Sequence, residues 1–121
     1  MAERSLVIKV TAGKDDPERC NQAFNVAATA VASGIGVSLW LAGESAWFAL
    51  PGRAEDFSLP HAVPLADLLA SVLAGGSVTL CTQCAARRDI AADDVIDGVR
   101  IAGSATFLAE IMTEGVQALV Y

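Results

Sequence analysis

The chain predicts an α/β fold, a three-layer α/β/α sandwich around a five-stranded, mostly parallel sheet with right-handed crossovers. Three observations carry this expectation. Short β-rich apolar runs alternate with helical segments along nearly the whole length, the pattern of strands joined by crossover helices. Glycines stand at the ends of successive runs, at Gly13, Gly43 and Gly103. The 54% of hydrophobic residues are mainly Ala, Val, Leu and Ile, with only 6% aromatics, which suits strands buried on both faces.

The elements follow in order. "SLVIKVTAG" is a short apolar run ending at Gly13 and reads as the first strand. Asp16 then offers an N-cap, Pro17 the first helical position and Glu18 an acid in the first turn. The helix they open is expected to reach about Ala32, stopped by Ser33-Gly34, with Cys20, Phe24, Ala27 and Val31 on its core face. "GVSLWLAG" is the second strand, and "ESAWFALPG" a short helix closed by Pro51-Gly52. Residues 53–63 have charges and no clear period, and read as a loop. Pro64 opens a second long helix, "PLADLLASVLA", with a stripe of Leu65, Leu68, Leu69 and Val72 that ends at Gly75-Gly76. "SVTLC" is the third strand, followed by a short helix from about Gln83 to Arg88. "GVRIAG" is the fourth strand, "SATFLAEIMTE" a helix capped by Ser104, and "GVQALVY" the fifth strand.

At 121 residues the chain is long enough for one core and too short for two, so residues 1–121 are expected to form one domain. A net charge of −6 argues against nucleic-acid partners and anionic membranes. "MAERSLVIKV" has a polar start and too short an apolar run for a signal peptide. No segment approaches the ~18 continuous apolar residues of a membrane span. With no secretion signal visible, the three cysteines imply free thiols and a cytoplasmic location.

Ligands of open parallel sheets bind outside the carboxyl ends of the strands. Gly13-Lys14, Gly43-Glu44, Cys81 and Gly103-Ser104 fall at those ends, which draws attention to "SVTLCTQCAARRD". Cys81 at a strand end, just before a helix, lies near unpaired N–H groups that favour the thiolate. Cys84 is in the first helical turn, close enough for disulfide exchange with Cys81. Arg87 and Arg88, three and four positions beyond Cys84, can approach its sulfur. From Cys81 they lie roughly 10 Å along the helix and would have to fold back, or come from a neighbouring subunit. The competing reading makes Cys81 a small core residue and the arginines a solvated face.

Cys20, on the apolar helix face, reads as structural. His61 lies between prolines without a visible partner. The thiols and this histidine have no zinc-site spacing, so no metal is expected. Trp47 and Phe48 are expected to pack the lid of the strand-end crevice, and Asp93, Asp94 and Asp97 to form a solvated turn. "TAGKDD" lacks the phosphate-loop pattern and no G-x-G-x-x-G follows the first strand, so no nucleotide or other cofactor is expected. The C-x-x-C pair invites comparison with thioredoxin, where the motif follows an early strand; here it follows the third.

The succession "VIKVTAGKDDPERCNQAFNVAATAVASGIGVSLWLAG", "PLADLLASVLAGGSVTLC" and "DDVIDGVRIAGSATFLAEIMTEGVQALVY" resembles the DsrE-like proteins, the group of DsrE/DsrF and TusD sulfur-relay and YchN-like proteins. The resemblance covers nearly the whole chain. In relay members, a sulfur-accepting cysteine ends the third strand and is followed after five residues by two arginines and a glycine. That frame falls on Cys81, Arg87 and Arg88, while Asp89 stands where the glycine is usual and Cys84 where alanine is common. The resemblance implies a sulfurtransferase-type role, with Cys81 carrying a persulfide and passing sulfane sulfur to a partner thiol. Cys84 would then be a resolving or second carrier thiol, with Arg87 and Arg88 stabilising the anion. It also implies a homo-oligomer, commonly a trimer or hexamer, and a sulfur donor or acceptor protein as partner. Two alternatives stay open. One is thiol–disulfide redox cycling of Cys81 and Cys84; the other is a non-catalytic assembly subunit that binds at the strand ends.

Overall fold

The computed structural model describes residues 3–121; the first two residues of the polar opening segment lie outside them. The elements are β1 (Ser5–Val10), α1 (Pro17–Ala32), β2 (Gly36–Leu41), a 3-10 helix (Gly43–Ala49), α2 (Leu65–Gly75), β3 (Ser77–Cys81), α3 (Thr82–Arg87), a 3-10 turn (Ala92–Asp94), β4 (Val99–Ala102), α4 (Ser104–Ile111) and β5 (Val116–Val120). The five strands lie in the order β4-β3-β2-β1-β5 and every neighbouring pair is parallel. The α/β reading therefore holds, with an all-parallel sheet. Among the described residues, no helix is long and apolar enough to cross a membrane.

Local chemistry sets the boundaries. Asp16 accepts from the Arg19 N–H and caps α1, with proline in the first turn. At the other end Gly34 takes φ +80°, the left-handed geometry that stops a helix. α4 departs from expectation. Its N-cap is Gly103 and Ser104 is already helical, so no side-chain oxygen caps it. α3 begins at Thr82, one residue before the expected Gln83, because Cys81 itself serves as the N-cap.

The two faces of the sheet differ. On one, Ile8, Val10, Leu39, Leu41, Val78 and Leu80 meet α1 and α2 through Cys20, Phe24, Ala27, Leu65, Leu69 and Val72. Val31 is only partly buried, and Ala23 and Ala30 complete the core face of α1 instead. Each fully buried Leu, Ile, Val or Phe here contributes about 1.5–3 kcal/mol. The other face carries Ser5, Lys9, Ser38, Trp40, Thr79 and Arg100, and α4 crosses it. Phe107 packs edge-on against Trp40 at 5.3 Å. Glu110 accepts from Ser38 Oγ at 2.6 Å and from the Trp40 indole at 3.0 Å, and it pairs with Arg100. Arg100 also donates to Thr79 Oγ1 at 2.5 Å. A helix of eight residues does not cover five strands, so the strands are not equally buried on both faces as the composition suggests. Polar side chains and exposed Val120 of β5 occupy the open part, and α4 itself presents exposed Leu108 and, at its C-cap, Met112.

Candidate functional site

Topology brings the thiols to an opening in the sheet. Cys81 ends β3 and pairs with Ala102 at the end of β4. α3 leaves β3 towards the α1/α2 side, since its Cys84 and Ala85 join that core cluster. α4 leaves β4 towards the other side, where Phe107 meets Trp40. Two adjacent strands whose continuations part to opposite faces leave a crevice between them, the general ligand position of such sheets. Cys81 lies at that point, at the carboxyl end of β3.

Cys81 is partly exposed and caps α3 with φ −62° and ψ 126°. An N-cap side chain ordinarily offers an oxygen to the N–H groups two and three residues on; here sulfur occupies that place. The Gln83 and Cys84 N–H groups, the donors two and three residues on, favour the anionic form of that sulfur. Partial burial pushes the thiol up. Against it act the Cys84 N–H, the Cys84 thiol, the Gln83 N–H and the Lys9 ammonium, and the net result lies below the ordinary 9.0. In a helix of six residues these named donors, rather than a long helix dipole, favour the thiolate.

Lys9 is a member of the site that the sequence reading missed. The register Lys9–Trp40–Thr79 puts it on the same face as Cys81, and its ammonium lies 4.5 Å from the centre of the Phe107 ring. The available signal was a single cation inside "LVIKV", which marks the strand's second face as polar.

Cys84 is buried, and its sulfur accepts the Gly43 N–H at 3.3 Å. That contact needs glycine. Gly43 has φ +52°, and a Cβ there would lie 2.3 Å from the Thr11 carbonyl oxygen. A Cβ on Gly13 would lie 2.6 Å from the Glu44 carbonyl oxygen. The glycines at the ends of β1 and β2 thus let two backbones touch. Ser45, fully buried, holds the turn with its hydroxyl 2.7 Å from the Val10 carbonyl while accepting the Ala42 N–H at 3.0 Å.

The arginines stand elsewhere than their spacing suggests. Arg88 binds the Glu44 carboxylate at 2.7 Å, donates to the Cys84 carbonyl at 3.2 Å and lies 5.9 Å from the Trp47 ring. Its contact with Cys84 is therefore to the carbonyl, not the sulfur. Arg87 is exposed and has no hydrogen bond or ion pair among the described residues.

Cys20 is fully buried on α1, and burial, with Asp15 and Asp16 nearby, pushes its thiol up to about 12. All three cysteines are free thiols. His61 is exposed in its loop, with φ +60°, beside Glu18 and Asn21. Phe48 departs from the expected lid. It is buried between Phe24 and Phe57 in edge-to-face contacts of 5.9 and 5.7 Å and reaches the strand ends only as a wall of the pocket beside Trp47, which is the more exposed of the two. Asp93, Asp94 and Asp97 are exposed, as a solvated turn requires.

A model described as the DsrE/DsrF-like family matches residues 4–121. The YchN protein of E. coli superposes with a TM-score of 0.80 at 19% identity, covering 98% of this chain and 99% of that one. MTH1491 from Methanobacterium thermoautotrophicum, a protein of unknown function, gives 0.72 at 13% identity over 98% and 100%. BT1422 from Bacteroides thetaiotaomicron, also of unknown function, gives 0.60 at 19% over 97% and 94%. These identities establish a shared fold. None of the curated protein sequences matches the chain.

Proposed function

The chain belongs to the DsrE/DsrF-like family, and on that premise we propose that it is a persulfide carrier in which Cys81 accepts sulfane sulfur and hands it to a partner thiol. One observation carries the choice of residue. Of the three cysteines, Cys81 alone combines partial exposure with a thiol shifted towards the anion, and the thiolate is the attacking species.

The Cys81 thiolate attacks the outer sulfur of a donor persulfide, forming a sulfur–sulfur bond as the donor's own sulfur–sulfur bond breaks and its thiolate leaves. A partner thiolate then attacks the outer sulfur of the Cys81 persulfide, and the Cys81 thiolate is released. Each step exchanges one sulfur–sulfur bond for another, so no external oxidant or reductant is needed. The Cys84 N–H and thiol and the Gln83 N–H favour the anion between steps, with a smaller contribution from the Lys9 charge. Arg88 fixes the Gly43–Glu44 turn, and Arg87 offers a charge to the incoming partner. Cys84, donating towards Cys81, acts as the second thiol.

Incubation with a low-molecular-weight persulfide followed by intact-mass measurement tests this. The expected result is a gain of about 32 Da, one sulfur atom, reversed by reductant. Cys81→Ser should abolish the gain and Cys84→Ser should retain it; loss of the gain in Cys84→Ser alone would reverse the assignment. The proximity of the two thiols favours, as a second reading, a Cys81–Cys84 dithiol–disulfide cycle. A loss of about two protons' mass, with no sulfur adduct, would identify it.

We further propose a cytoplasmic homo-oligomer, a trimer or hexamer, with a separate sulfur donor or acceptor protein. The family habit, exposed Leu108 and Met112 on α4 and exposed Val120 on β5 support the assembly.

A further inference from the structure

Beside the thiols, at the ends of β1 and β2, lies a separate cavity of about 170 Å³ lined by Lys14, Glu44, Trp47, Phe48 and Arg53. An apolar cavity of ~150 Å³ accommodates benzene, so this one has room for a single ring or its equivalent. Its apolar part is rigid, because Phe48 is locked between Phe24 and Phe57. The Trp47 indole is only partly buried, and the Arg53 guanidinium lies 4.6 Å from its ring.

The charge around the cavity is unbalanced. The Glu44 carboxylate is taken by Arg88, whereas Lys14 and Arg53 have no ion pair among the described residues. Asp15 and Asp16 follow Lys14 in sequence but are engaged by the Gly13 N–H and by Arg19, and neither lines the cavity. In a chain of net charge −6, two cations without an ion pair lining one small cavity, one of them over an indole, are a local exception.

We propose that this cavity binds a small monoanionic organic acid, with its carboxylate between Lys14 and Arg53 and a flat apolar body against Trp47 and Phe48. The acids just outside disfavour a more highly charged group such as a phosphate dianion. The ligand would share a wall with the thiol site, since Gly43, whose N–H reaches the Cys84 sulfur, is followed by the lining residue Glu44. The proposal does not require Cys81 to carry sulfur.

Benzoate is the probe, and the Trp47 indole N–H resonance is the readout. The Trp40 indole, bonded to Glu110, serves as the internal reference. The Trp47 signal should shift saturably with a dissociation constant near or below ~1 mM, and weaken as salt rises. Neutral benzamide should bind at least about tenfold more weakly, as should benzoate to Lys14→Ala or Arg53→Ala, with Arg53→Lys intermediate. Equal binding of benzamide and benzoate would refute the anion assignment. A lack of saturable shift at ~50 mM benzoate, far above the affinity claimed, would refute the site. Equal shifts of Trp40 and Trp47 would also refute it. Because the readout is binding, failure of the persulfide assay leaves this test unaffected.

Discussion

Replacing Gly43 by alanine tests how the thiol site is held. Two costs add at this position. An L-residue at φ +52° is strained by about 1–2 kcal/mol. The new methyl group would also lie 2.3 Å from the Thr11 carbonyl oxygen, a backbone atom that cannot rotate away, so β1 and the turn must separate. Overpacking of this kind costs about 1–3 kcal/mol. Against these stands a gain of about 0.4–1 kcal/mol from the less flexible unfolded chain. The net expectation is a loss of about 1–4.5 kcal/mol, a substantial fraction of the ~5–15 kcal/mol that holds a domain together. Urea unfolding should register it as a fall of about 0.5–3 M in midpoint, for a slope near 1.5–2 kcal/mol/M. Gly52→Ala is the control. Gly52 has φ +81° with nothing near its missing Cβ, so that variant meets the strain without the clash and should lose no more than about 1–2 kcal/mol. If Gly43→Ala were as stable as Gly52→Ala, the close approach of the two backbones would not be what selects glycine there.

Alkylation of Cys81 against pH should show a midpoint below the ordinary thiol value, and Lys9→Met should raise it, since removing a cation disfavours the thiolate; an unchanged midpoint would eliminate Lys9 from the site. Native Cys20, buried and shifted up to about 12, should resist the same reagent until the protein unfolds, and Cys20→Ser should cost about 1–3 kcal/mol by burying a hydroxyl. Burial pushes the Glu110 carboxyl up, but Ser38, Trp40 and Arg100 together hold it below the ordinary 4.5. Its contribution to stability is therefore present above the unfolded-state value and lost as pH falls through the lower folded one. Glu110→Gln should flatten the acid limb of a stability–pH curve, and an unaltered limb would contradict that. Light scattering should return a trimer or hexamer, with Leu108→Asp combined with Met112→Asp shifting it towards monomer; a wild-type monomer at micromolar concentration would refute the assembly.

Much of the fold was legible because its signals are local. Asp16-Pro17 opens α1, Gly34 closes it, and the period of Leu65, Leu68, Leu69 and Val72 states which face of α2 is buried. The location of Cys81 followed from the same logic, as the last residue of an apolar run before a helical segment. What was not legible depends on register between distant segments. Glu44 and Arg88 meet across 44 positions and Trp40 and Glu110 across 70, and no sequence period encodes either pair. The spacing of Arg88 from Cys84 was correct, but the Glu44 carboxylate draws its guanidinium away from the sulfur. Lys9 was missed because a strand read as buried on both faces left no place for a cation.

The strand order also has a consequence for when the sheet edge is closed. β1 is the first strand formed from the chain and β5 the last, yet they lie side by side, with the Tyr121 N–H bonded to the Lys9 carbonyl at 2.8 Å and the Thr11 N–H to the Tyr121 carbonyl at 2.9 Å. Pairings between such distant segments form late, because the loop between them must close first. A species in which β1 through β4 have assembled still has one edge of β1 open, and with it the backbone that carries Lys9. It also lacks the anchor that seats α4, and hence Phe107, beneath the ammonium. Folding intermediates with an open strand edge are the ones most prone to pair with other chains. In the native sheet β5 closes that edge of β1 and anchors the chain end that follows α4, whose Phe107 lies under the Lys9 ammonium.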